Sequence, residues 1–185
     1  KDLGGSESDG QLTLSIFMVG LAAGQLIFGP LSDQYGRLPI VRAGTLLFLV
    51  TSLLCALAQN MELMWVARGF QGIAAASGPV IARAIVRDRY EGNRAAQVMS
   101  ALSATMAVIP MVAPSLGVAI LANFAWPATF LALAIFAVCI LIALIRMPES
   151  APTPKEQMLT LESILNSFSQ MLSSPAFIGY QMAGS

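Results

Sequence analysis

From Leu12 to Phe28 the chain carries no charged side chain, and uncharged or nearly uncharged apolar windows recur at 12–31, 40–57, 63–86, 95–121 and 127–145. A hydrocarbon core about 30 Å thick is crossed by roughly 20 mostly apolar helical residues, so each window is long enough to span a bilayer. Only 11% of the residues are charged, against about a quarter in an ordinary soluble domain. These windows predict an all-α, polytopic transmembrane bundle of five helices within residues 12–146.

The placement of the charges orients the bundle. Arg37, Arg42, Arg83, Arg87, Arg89, Arg94, Arg146 and Lys155 follow the first, third and fifth spans, whereas the opposite side holds Lys1 against Asp2, Glu7, Asp9 and Glu62. By the positive-inside rule the basic side is cytoplasmic. Residues 1–11 are then an extracytoplasmic loop stub, and the first span runs inward, an orientation that calls for a preceding helix before Lys1. The chain opens on Lys1 and closes as a new apolar stretch begins at 176–185, so it is expected to be a fragment.

Residues 147–175 read as a cytoplasmic linker between two bundles. "ESAPTPKEQ" carries prolines and charges that cannot propagate a buried helix. Leu161, Ile164, Leu165, Phe168, Met171 and Leu172 then follow the spacing of an amphipathic helix, expected on the membrane surface. Cys55 and Cys139 sit in separate apolar windows with no CxxC pair, and histidine is absent, which gives no basis for a metal site or thiol redox chemistry. Both cysteines are expected to pack or to face lipid. Nor is there a paired nucleophile and base or a phosphate loop, so catalytic residues, cofactors and nucleic-acid partners are not expected.

Arg68 is the residue that most constrains function. It lies about 7–8 Å beyond a helix start near Leu63, where a guanidinium must face a wet or protein-lined interior with an acceptor, or else snorkel to the nearby interface. Gln71 and Gly72 extend a polar and small face toward Ala75 and Pro79, which makes Arg68, Gln71 and Gly72 candidates to line a cavity for substrate and proton coupling. Arginine does not release its proton, so its role there is to bind an anionic group or to hold a carboxylate ionised. No Asp or Glu lies deep in the five windows, which puts any proton-carrying carboxylate elsewhere.

In "GPLSDQYGR", Asp33 and Arg37 stand four residues apart in the favourable helical order. The spacing fits a solvated pair as well as a functional one, Arg87 and Asp88 finish the third span on the same side, and Gly29 and Gly36 are expected to bracket a tight turn that presses the pair against neighbouring helix ends. In the fourth window Pro110 and Pro114 each remove a donor and predict a bent, deformable helix, with Gly117 on nearly the same face.

"GQLIFGPLSDQYGRLPIV" resembles the G-x-L-x-D-x-x-G-R loop signature of the major facilitator superfamily, and "MWVARGFQGIAAASG" resembles its R-x-x-Q-G signature. "RAIVRD", "IPMVAPSLG" and "FIGYQMAGS" are similar to the bicyclomycin-resistance type of drug:proton antiporter. The resemblance implies that the spans are helices two to six of a twelve-helix carrier, part of its N-terminal half, with substrate bound between halves near mid-membrane. It further implies that Asp33 meets a helix N-terminus of the other half while Arg37 pairs with Asp88, a conformational latch built from Gly29, Asp33, Gly36, Arg37 and Asp88. The antiporter signature G-P-x-x-G-G is replaced here by Ala113, Pro114, Ser115, Leu116, Gly117 and Val118.

The expected function is proton-coupled efflux of small amphipathic compounds by alternating access, in a bacterial inner membrane. The partners are a small-molecule substrate, protons, the lipid bilayer and the remaining half of the same chain. A metabolite symporter or uniporter, and a non-transporting scaffold or sensor, are the alternatives.

Overall fold

A computed structural model of the chain describes residues 7–147, all within the first of two units, residues 1–154 and 155–185. The linker, surface helix and further span expected at 147–185 lie outside the described residues apart from Met147. Six helices follow one another: α1 (Glu7–Tyr35), α2 (Arg37–Ala56), α3 (Met61–Ala75), α4 (Ser77–Arg89), α5 (Gly92–Asn123) and α6 (Pro127–Ile145). They supply five stretches long and apolar enough to cross a membrane, α3 and α4 together forming the third. The chain is a multi-pass integral membrane protein with an all-helical fold.

Two expectations need correction. Residues 7–11, read as loop, already belong to α1. The same helix continues through Gly29 and Pro30 to Tyr35, so Gly29 does not open a turn; Gly36 alone does, at a φ of 95° that glycine adopts without a Cβ clash. The third span is one crossing, as expected, with a single turn residue, Ala76, that keeps helical angles between α3 and α4. Pro79 has no N–H for the carbonyl one turn earlier, and the Ser77 hydroxyl donates to the Ala74 carbonyl at 2.7 Å, serving a backbone acceptor where the ladder is interrupted.

Close packing is concentrated where small residues let backbones meet. A Cβ on Gly72 would strike the carbonyl oxygen of Phe17, and one on Gly20 would strike that of Gly69, so α1 and α3 cross in direct backbone contact, a main source of helix association in lipid. Two small cores flank this crossing. Cys55, Ala58, Met64 and Ala67 pack with Trp126 and Phe130 toward one end of the bundle, and Leu38, Val41 and Ile81 pack with Ile40, Ile85 and Leu144 toward the other. Helix α5 buries none of its residues and runs unbroken through Pro110 and Pro114, while a Cβ on Gly117 would meet nothing within 4 Å.

Hydroxyls within the spans are satisfied locally. Thr45 donates to the Val41 carbonyl at 2.7 Å, Thr51 to Leu47 at 2.8 Å and Ser52 to Phe48 at 2.7 Å. Back-bonding of this kind lets polar side chains enter an apolar helix without an orphaned donor. Asn60 caps α3 by accepting from the Leu63 amide at 2.8 Å, and Pro127 opens α6 at a position where a missing N–H costs nothing.

Candidate functional site

Two arginine centres occupy opposite ends of the bundle. At one end of the bundle the Gly36 turn swings Arg37 back beneath α1 and toward the end of α4. Its Nε donates to Asp88 Oδ2 at 2.8 Å and its Nη2 to Asp88 Oδ1 at 3.5 Å, while Nη1 donates to Ser32 Oγ at 2.7 Å and pairs with Asp33. The Arg37 side chain is 9% exposed and that of Asp88 15%, but that of Asp33 is 59% exposed. The Arg37 to Asp88 contact is therefore an enclosed, fork-like ion pair joining the start of α2 to the end of α4. Asp33 is the solvent-facing partner, held weakly.

At the other end Arg68 lies about 10 Å along α3 from Met61. Its Nη1 donates to Gln71 Oε1 at 2.7 Å. Because Gln71 is one turn deeper, the guanidinium is drawn into the bundle, opposite to the direction of snorkelling. Phe17 of α1 covers one side, its ring centroid 4.3 Å from the guanidinium carbon, and Phe130 of α6 approaches to 5.9 Å. Such contacts are each worth about 0.5–2 kcal/mol. Gln71, fully buried, passes the connection on by donating from Nε2 to Ser52 Oγ of α2 at 2.7 Å. The Cys55 thiol lies 3.9 Å from the same Gln71 oxygen.

No carboxylate reaches this second centre among the described residues, and Arg68 Nε is buried without a hydrogen-bond partner. The cation is satisfied on one edge and left without a counter-charge. That arrangement can hold an ionised acid or an anionic group presented from outside the described residues.

Of the expected cavity residues, Arg68 and Gln71 come together, but Gly72 does not join them; it is buried at the crossing with α1, where its missing side chain admits the Phe17 backbone. An open apolar groove of about 660 Å³ lies beside this centre, between α1 and α3, walled by Leu12, Ile16, Val19, Trp65 and Phe70; Arg68 is not in its lining. The latch residues Asp33, Gly36, Arg37 and Asp88 do come together, with Gly29 entering only as a carbonyl that accepts from Ser32 at 2.9 Å. Pro110, Pro114 and Gly117 stand apart on α5.

Sequence reasoning missed Ser32, Phe17 and Phe130, which contact the two arginines from other helices, and Ser52, which reaches Arg68 only through Gln71. It also counted Arg42 only as a cytoplasmic charge. Arg42 Nη2 donates to the carbonyl of Leu144 at 2.8 Å, tying α2 to the C-terminal end of α6, where a cation is favoured by the helix dipole.

The family model described as Major Facilitator Superfamily matches residues 1–184. The chain is 40% identical over 186 residues to the uncharacterized MFS-type transporter YdgK of Bacillus subtilis, covering 98% of this chain and 46% of that protein. It is 35% identical over 175 residues to the multidrug resistance protein MdtL of Escherichia coli O81, covering 90% of this chain and 44% of the relative. The MdtL of Klebsiella pneumoniae is 36% identical over 174 residues, with 91% and 44% covered. The chain thus spans about half the length of the curated relatives it matches. The crystal structure of the human organic anion transporter MFSD10 superposes with a TM-score of 0.60 at 18% identity, over 84% of this chain and 36% of that one, a likeness of fold.

Proposed function

We propose that this chain, which belongs to the Major Facilitator Superfamily, is part of a proton-coupled exporter of small amphipathic compounds working by alternating access in a bacterial inner membrane. The observation that carries the reading is the state of Arg68: enclosed by Phe17 and Phe130, hydrogen-bonded to a neutral amide, and, among the described residues, without a carboxylate. A buried cation of this kind is costly unless function uses it. Its use here is to lower the pKa of an acid contributed by the rest of the protein, so that proton release and substrate binding are linked through one charge. The relatives named for multidrug resistance support a drug-like cargo, and the groove between α1 and α3 has a size that suits one.

In the same reading Asp33, Arg37 and Asp88 form the latch that holds one conformation and releases in the other. Each dipole contact that Asp33 makes with the opposite half contributes about 0.3–2 kcal/mol, small enough to break in every cycle. The unburied face of α5, with Pro110, Pro114 and Gly117, is the surface that seals against the partner half.

Expression of the intact protein in an efflux-deficient host tests the whole. It is expected to raise tolerance to a panel of amphipathic drugs, and Arg68→Gln is expected to return tolerance to that of the empty vector at unchanged membrane abundance. Proteoliposomes fix the coupling: substrate must move against an imposed proton gradient, with protons flowing the other way. Tolerance that survives Arg68→Gln, or substrate and protons moving together, overturns the reading.

A further inference from the structure

Ser32 is fully buried at the cytoplasmic end of α1 and uses both of its hydrogen-bonding capacities. Its hydroxyl donates to the Gly29 carbonyl at 2.9 Å, which fixes the side-chain rotamer, and its lone pairs accept from Arg37 Nη1 at 2.7 Å. Nη1 carries two N–H groups, and the second is directed to Asp33. Ser32 and Asp33 therefore hold the same nitrogen at the same time, one from a buried position and one from an exposed position.

We propose that Ser32 is the positioning residue of the charged turn, keeping the Arg37 guanidinium aimed at Asp88 when Asp33 lets go. The three partners divide the work by burial. Asp88 supplies the enclosed counter-charge, Ser32 sets the angle of the fork, and Asp33 is free to leave because its departure strands no donor: the Nη1 edge keeps its hydroxyl and the released N–H turns to solvent beside an exposed carboxylate. Without the hydroxyl, loss of Asp33 leaves the buried Nη1 edge with no fixed acceptor, and the guanidinium turns off Asp88 to find one. The consequence for transport rests on the latch proposed above; the coupling between Ser32 and Asp33 does not.

The test is a double-mutant cycle on the intact, detergent-solubilised protein. Asp33→Ala is expected to change the folding equilibrium by less than about fivefold in the unmodified background, and by about tenfold or more in a Ser32→Ala background, the size of a lost hydrogen bond to a charged group. Ser32→Cys keeps the volume but is a poor acceptor for a guanidinium, so it must behave as Ser32→Ala does; this variant also separates loss of the acceptor from loss of packing. In proteoliposomes either substitution is expected to lower kcat about tenfold, with KM within about twofold, because the substrate site is at the other end of the bundle. Equal effects of Asp33→Ala in all three backgrounds overturn the proposal and leave Ser32 a packing residue. A coupled stability cycle with unchanged kcat upholds the positioning role and removes the latch from the transport cycle.

Discussion

Arg37 and Arg68 are both withdrawn into the bundle, yet they are satisfied in opposite ways. Arg37 has two carboxylates and a hydroxyl within reach; Arg68 has one amide oxygen and two aromatic faces. The first centre is neutralised where it stands, so its charge does little beyond the turn and its energy goes into holding α2 against α4. The second, among the described residues, is solvated by the protein without a counter-charge. Two arginines in one bundle thus differ in whether their charge is cancelled where it stands.

Removing the counter-charge from the neutralised centre is the strongest way to break the contrast. Asp88→Ala leaves Arg37 enclosed with only the exposed Asp33 as a counter-charge, and is expected to destabilise the protein by about 3–5 kcal/mol, read as a lowered unfolding midpoint in detergent. Supplying a counter-charge to the other centre sharpens it. Gln71→Glu gives Arg68 an anionic acceptor at the position of the present amide, and is expected to stabilise by about 1–2 kcal/mol while abolishing proton-driven transport. A variant that is both unaltered in stability and fully active would mean that Arg68 was already neutralised. The smallest effect is expected at Asp33, whose exposure limits the ion pair to about 0.2–1 kcal/mol: Asp33→Asn should leave the unfolding midpoint nearly unchanged and still slow transport. If stability and transport fall in proportion, the turn is a static clasp.

The spans were legible because membrane thickness imposes a length on apolar runs. Arg37 and Asp88 were legible as partners only through the family signature, since nothing in their spacing along the chain brings residues from two separate helices together. Gly29 misled for a local reason: glycine next to proline reads as a turn, but α1 runs through both to Tyr35. Phe17 and Phe130 could not be singled out from other core aromatics, because their meaning arises only when α1 and α6 close on α3. Gly72 looked like part of a polar stripe, and the crossing with α1 turned it into a packing position.

Arg68 and Asp88 stand on one near-continuous span, because Ala76 between them keeps α-helical backbone angles. At 1.5 Å of rise per residue the two side chains are rooted about 30 Å apart along it. A tilt of that span carries both ends at once, so neither charged centre can be displaced by it without the other.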